Sequence, residues 1–158
     1  MPTTIRRQLL SAFTTQLAAY FAADPTVTVT HNAKVATDLK PGAKVVNILD
    51  GTWEKTDADA SGPRLLQHVH VEAQVGLQAN ADDAVTCAAI DTALDDLYRR
   101  VLLAVAGADT LGGLTYGVVE ELTGEEVRPD DLGTQPVGGC SVEFGLPYRH
   151  AWSDPTVG

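Results

Sequence analysis

Cysteine is scarce, bases are outnumbered and no long apolar run exists, and each shortage closes off a class of protein. Only Cys87 and Cys140 occur in 158 residues, so one disulfide is the maximum and a disulfide framework is excluded. Cys87 falls on the apolar stripe of a predicted helix, where a free thiol acts as a small hydrophobe. Cys140 opens an alternating strand on its apolar side. Neither has a cationic neighbour to favour a reactive thiolate, and a reducing cytoplasm is the expected setting. Eleven lysines and arginines stand against 21 aspartates and glutamates, for a net charge of -10 and a pI near 4.6. A surface this acidic repels phosphate backbones and anionic lipid. No basic run or basic–aromatic stripe offsets it locally, so neither a dedicated nucleic-acid partner nor a membrane is expected. No stretch is long and apolar enough to span a bilayer.

What is present suits a single globular domain over 1–158, with 44% hydrophobic and 20% charged residues. The opening MPTTIRRQLLSAFTTQLAAYFAADP has the arginines and Ala-rich end of a signal peptide. Thr14, Thr15 and Gln16 nevertheless interrupt its apolar core. Ile5, Leu9, Phe13, Leu17, Tyr20 and Phe21 are spaced as one face of an amphipathic helix, expected from about Thr4 to Ala22. VTVT after Pro25 reads as a short strand and HNAKVATDLKPGA as a loop. KVVNIL at 44–49 is a second strand. DGTWEKTDADASGPR at 50–64 reads as a long polar, mobile loop.

Residues 65–78 alternate strictly. Leu65, Val69, Val71, Ala73, Val75 and Leu77 take one side, while His68, His70, Glu72, Gln74 and Gln78 take the other. The expectation is one packed face and one wet face. A second helix follows, with Asn80 as N-cap, a stripe of Cys87, Ile90, Leu94, Leu97, Tyr98, Val101 and Val105, and a stop at Gly107. Asp95–Arg99 and Asp96–Arg100 have i,i+4 spacing on its outside. LTYGVVEEL at 114–122 and CSVEFGLPYRHAW at 140–152 are the last strands. Pro147 cannot donate to a ladder, which predicts a sheet edge or a bulge there. The order α-β-β-β-α-β-β implies an α+β fold, two helices covering one face of a largely antiparallel or mixed sheet.

The chemistry-bearing residues are few. His68, His70 and Glu72 project together from one strand, and two imidazoles with a carboxylate are a real ligand set for zinc or iron. A strand supplies such ligands only with help from elsewhere, and neither an HExxH nor a cysteine pair of metal spacing is present. Half-wet alternation alone produces this pattern, so the expected reading is a solvent- or subunit-facing surface, with no metal, cofactor or catalytic residue. Walker, GxGxxG and GxSxG motifs are missing. Trp53, in the polar segment, and Trp152, near the end, stay open between folding back on the core and anchoring an interface. The candidate interface residues are thus Trp53, His68, His70, Glu72, Pro147, Tyr148 and Trp152.

Several segments together resemble the tail terminator proteins of long-tailed phages. These are IRRQLLSAF, VVNILDG with the polar segment after it, QHVHVEAQVGLQA, ALDDLYRRVLLAV and the closing FGLPYRHAWSDP. The resemblance spans most of the chain and rests on pattern, not on a chemical signature; neighbouring neck and tail-completion proteins share the layout. It implies a non-enzymatic subunit, located in the virion tail at its head-proximal end after assembly in the host cytoplasm. Its partners would be further copies of itself in a hexameric ring, the tail tube protein and the head–tail connector protein. The competing class is a metal-dependent enzyme or small-ligand binder using the His68, His70 and Glu72 face.

Overall fold

The computed structural model of the chain describes residues 4–33, 42–55, 63–74, 84–107, 110–115, 120–130 and 137–148. Helix α1 spans Ile5–Phe21, capped by Thr4, whose hydroxyl oxygen accepts from the Arg7 N–H at 3.4 Å. Its buried residues Ile5, Leu9, Phe13, Leu17 and Phe21 recur every four positions, one ridge laid on the sheet. Tyr20, expected on that ridge, is exposed. The chain then turns at Asp24, whose carboxylate accepts from the N–H and the hydroxyl of Thr26 at 3.0 and 2.6 Å.

Strand β1 (Val27–His31) pairs in parallel with β2 (Lys44–Lys55), and β2 pairs antiparallel with β3 (Pro63–Gln74). After helix α2 (Ala84–Ala106) come β4 (Glu120–Asp130) and β5 (Val137–Pro147), both antiparallel to their neighbours. The sheet order is β1-β2-β3-β5-β4. This is the expected α+β fold with a mixed sheet.

Three expectations need correction. The first concerns the polar segment 50–64. It is not a loop throughout, because residues 50–55 and 63–64 extend β2 and β3. Three steps from Asp50 to Trp53 face only two from Gln67 to Leu65, a bulge that absorbs one extra residue and lets the ladder continue. A Cβ at Gly51 would strike the Leu66 carbonyl, so only glycine fits there. Mobility of the remaining residues, 56–62, concerns positions outside the described ones.

The second correction moves a strand. Residues 110–115 form a turn with Leu111, Gly112 and Gly113 at positive φ, and the strand comes later, at Glu120–Asp130. Gly124 and Pro129, read as loop residues, are tolerated because β4 is an edge. The third concerns β5, which is not an edge but lies between β3 and β4. Pro147 is accommodated as its last residue, past the end of the β4 ladder at Gly145.

Both helices lie on one face. Phe144 of β5 meets Phe13 of α1, ring centroids 5.7 Å apart. Gly138, on the same side of β5, leaves room for α2: a Cβ there would overlap Ile90 and come within 3.0 Å of Leu94. On the outside of α2 the expected Asp96–Arg100 contact forms, and Arg99 takes Asp96 in place of the expected Asp95. Arg99 reaches Asp96 at 3.4 Å, while Arg100, 3.7 Å from Asp96, lies closer to Asp24, at 2.8 Å. Its guanidinium also sits 4.7 Å from the Phe21 ring centroid, tying α2 to the α1–β1 corner. Among the apolar core residues, Gln67 is fully buried; its amide nitrogen donates to the Leu66 carbonyl, and its oxygen has no partner among the described residues.

Candidate functional site

The face of β3 turned away from the helices carries the residues singled out by their chemistry. The ladder places His68 opposite Glu143, His70 opposite Ser141 and Glu72 opposite Gly139, with Leu49, Asn47 and Val45 of β2 on the other side. Because facing residues in a ladder share a face, these groups meet. His68 Nε2 lies 3.1 Å from Glu143 Oε2. His70 Nδ1 is 2.8 Å from Ser141 Oγ, and its Nε2 is 3.1 Å from Glu72 Oε1. The His70 ring lies over Gly139, where a Cβ would come within 3.0 Å of its edge. Glycine at 139 thus makes the flat bed on which the imidazole rests.

This face is not uniformly wet, contrary to the alternation-based expectation. The His68 side chain is 42% exposed, but those of His70 and Glu72 are only 15% and 5% exposed, and Gln74 is buried. Glu72 Oε2 has no hydrogen-bond partner among the described residues. A buried carboxylate held by one imidazole is a costly arrangement, so the His70 contact has structural weight.

A serine, an imidazole and a carboxylate in a row have the order of a nucleophile, base and orienting acid. The tautomer consistent with that row has His70 Nε2–H donating to Glu72 and Ser141 O–H donating to Nδ1. Yet Ser141 sits in the interior of β5, flanked by His70 of β3 and Glu125 of β4. Its N–H is engaged by the ladder and is not free to help form an oxyanion hole. Among the described residues, no group of three or more histidines, cysteines and carboxylates is placed to hold a metal ion.

The remaining candidates do not join this row. Trp53 stands in β2 opposite Leu65, and Pro147 stands opposite Arg64, so both occupy the same end of the sheet across β3. Tyr148 is buried against the core, and Trp152 lies outside the described residues.

A second polar cluster escaped the sequence reading, which placed His31 in a loop. His31 ends β1, and its Nε2 lies 2.7 Å from Asp50 Oδ1. Asn32, at φ 51°, donates to Asp50 Oδ2 at 2.9 Å and accepts from the Asp50 N–H at 3.0 Å. Burial pushes the Asp50 carboxyl up; hydrogen bonds from His31 and Asn32, with the charges of His31 and Arg6, outweigh it and leave the carboxyl below its ordinary value. Beside this pair runs a groove of about 580 Å³, lined by Thr4, Arg6, Arg7, Ser11, Thr14 and Thr15 of α1 among others. Asn after a strand, tolerant of the left-handed region, was the only signal for this corner.

No protein-family profile matches the chain, and no curated protein matches it. Among solved structures, the chain is similar to the PVC sheath/tube terminator of an extracellular contractile injection system in its extended state. The TM-score is 0.36 and the identity 14%, over 98% of this chain and 60% of that one. The chain therefore spans less than two thirds of that protein's length.

Proposed function

We propose that the protein is a structural subunit of a phage-type tail: a terminator that closes into a six-membered ring on the tail tube, stops tube growth and offers a surface to the head connector. The observation that carries this reading is an open sheet with two unlike edges. Strand β1, five residues long and paired in parallel, bounds one side, and β4, eleven residues long and paired antiparallel, bounds the other. Unlike edges favour head-to-tail association, and that closes into a ring or runs on as a filament. The segments that carry the tail-terminator resemblance fall on α1, β2, β3, α2 and β5, so the likeness in pattern is spread over both layers. The reading is non-enzymatic, since the serine beside His70 sits in the interior of the sheet with its N–H engaged by the ladder. An acidic ring would let DNA pass without adhering, because phosphate contacts supply most non-specific affinity.

Deleting the gene and imaging the particles tests this proposal. Tails of uncontrolled length, unattached to filled heads, are expected; normal tails sink it. A second reading, an enzyme or small-ligand binder, has one observation behind it, the Ser141–His70–Glu72 row. Stoichiometric zinc or iron in purified protein, lost in His70→Ala, would transfer the assignment to a metal-dependent version of that reading.

A further inference from the structure

Strand β1 ends the sheet with backbone groups still unspent. Two bonds fix which of its groups face β2. The Lys44 N–H donates to the Thr26 carbonyl at 3.0 Å, and the Asn32 N–H donates to the Ile48 carbonyl at 2.8 Å. Successive residues of a strand point their N–H and C=O to alternate sides, so Thr26, Thr28, Thr30 and Asn32 serve the β2 ladder. Val27, Val29 and His31 point away from it. The Val27 N–H is taken by the Asp24 carbonyl at 3.2 Å. Among the described residues, the N–H groups of Val29 and His31 and the carbonyls of Val27, Val29 and His31 have no partner.

Nothing in this strand discourages the addition of another. Sheet edges are ordinarily guarded by charge, proline or a bulge. The β1 sequence, VTVTH, holds no proline, acid, lysine or arginine, and its register with β2 runs without a shift. Its one ionisable side chain, His31, is engaged by Asp50. Thr28 is exposed, and Val29 and Thr30 are half-buried. In a chain of charge -10, this is an edge on which an approaching copy meets no carboxylate from the strand itself.

We infer that two copies of this chain join β1 to β1, antiparallel and centred on Val29. Each Val29 N–H then donates to the other copy's Val29 carbonyl, and each His31 N–H donates to the other copy's Val27 carbonyl. This register overlaps the whole strand and uses both unspent donors of each copy. Thr28 of one copy faces Thr30 of the other on the side away from the helices, a favourable cross-strand pair. So short a seam buries less than the roughly 1,000 Å² of a lasting interface, and the pair forms only at high protein concentration. A symmetric contact closes at two copies. It shields the edge of the free subunit and cannot build a ring, so it goes beyond the tail-terminator reading and does not depend on it.

Sedimentation equilibrium of the full chain, up to its solubility limit, tests the pairing, with circular dichroism to verify that each variant is folded. Val29→Pro removes an outward N–H from each copy and leaves the β2 ladder intact, so dimerisation should weaken about tenfold. Thr28→Glu and Thr28→Lys put like charges on diagonal positions across the seam. Each should weaken dimerisation about two- to fivefold, and mixing the two should restore it. Amide hydrogen exchange read by NMR should show Val29 and His31 protected in concentrated protein and unprotected on dilution. A wild type that stays monomeric overturns the inference. So does a dimer indifferent to the Thr28 charges, a Thr28 mixture that fails to recover, or exchange at Val29 and His31 that ignores concentration. If Val29→Pro does not fold, the Thr28 variants decide. Normal tails after gene deletion would sink the tail-terminator reading and leave the pair standing; a monomeric wild type would do the reverse.

Discussion

Strand β3 has two faces, and both exclude water over most of their length, by different means. Toward the helices, Leu65, Val69, Val71 and Ala73 are completely buried, and apolar packing against α1 and α2 does the work. Away from them, Leu66, Glu72 and Gln74 are nearly as buried, yet polar groups predominate and are matched in pairs across β3 and β5. One face is held by shape, the other by hydrogen bonds. The lesson is that a period of two identifies which side takes the helices, but not how wet the opposite side is.

Two adjacent glycines break the comparison most sharply. Gly138 faces α2 and Gly139 faces the His70 ring. Gly138→Ala drives a methyl into Ile90 on a packed helix, at a cost of about 1–3 kcal/mol in denaturant unfolding. Gly139→Ala meets the edge of an imidazole, which can yield, with the Val71 carbonyl oxygen next at 3.3 Å, and is expected to cost less. Equal losses would mean the two faces are packed alike.

Gln67 is the exception within the apolar face, a fully buried amide whose oxygen is unpartnered among the described residues. Gln67→Met keeps the length of the side chain and removes the unpaired group. A gain of about 1–2 kcal/mol is expected in the same assay, and a loss would reveal a partner for that oxygen.

On the polar face, the two histidine contacts should differ by their exposure. Ser141→Ala removes the 2.8 Å contact to a largely buried ring and is expected to cost about 0.5–1.5 kcal/mol. His68→Ala removes a pair open to solvent, expected to cost no more than about 0.5 kcal/mol. Chemical denaturation of both variants orders them, and a larger loss for His68→Ala would reverse the assignment of the dry and wet ends.

The smallest effect is confined to acid pH at the α1–β1 corner. The Thr26 hydroxyl, Arg100 and the Thr26 N–H, in that order, lower Asp24 from 3.8 to about 2. A depressed carboxyl contributes stability that is fully present above its unfolded value and is lost as pH falls through the folded one. The contribution of Asp24 should therefore fade between about pH 4 and pH 2. Asp24→Asn should flatten the pH dependence of unfolding in that window; an unchanged profile would show that the corner does not depend on this charge.

Much of this architecture was legible because it is local. The four-residue spacing of Ile5, Leu9, Phe13 and Leu17 needs only helix geometry, and α1 runs from Ile5 to Phe21 with Thr4 as its cap. Alternation in 65–74 likewise put Leu65, Val69, Val71 and Ala73 on one face of β3 and His68, His70 and Glu72 together on the other. Turn-forming composition misled where a partner strand could override it. Gly51 and Trp53 lie in a polar stretch that reads as loop, yet one bulge keeps β2 and β3 paired. Gly124 and Pro129 read as breakers, but an edge strand asks for hydrogen bonds on only one side.

By itself, the chain order of apolar patterns determined the α+β class, the two helices and which face of β3 they cover, since each depends on spacing within a few residues. Only the tertiary structure decided that β5 enters between β3 and β4, that Glu143 and Ser141 complete the histidine row, and that His31 and Asp50 meet beside Arg6. Those pairings join residues far apart in sequence. They follow from strand order and register, which depend on how the whole sheet closes its backbone hydrogen bonds, and no local pattern encodes that.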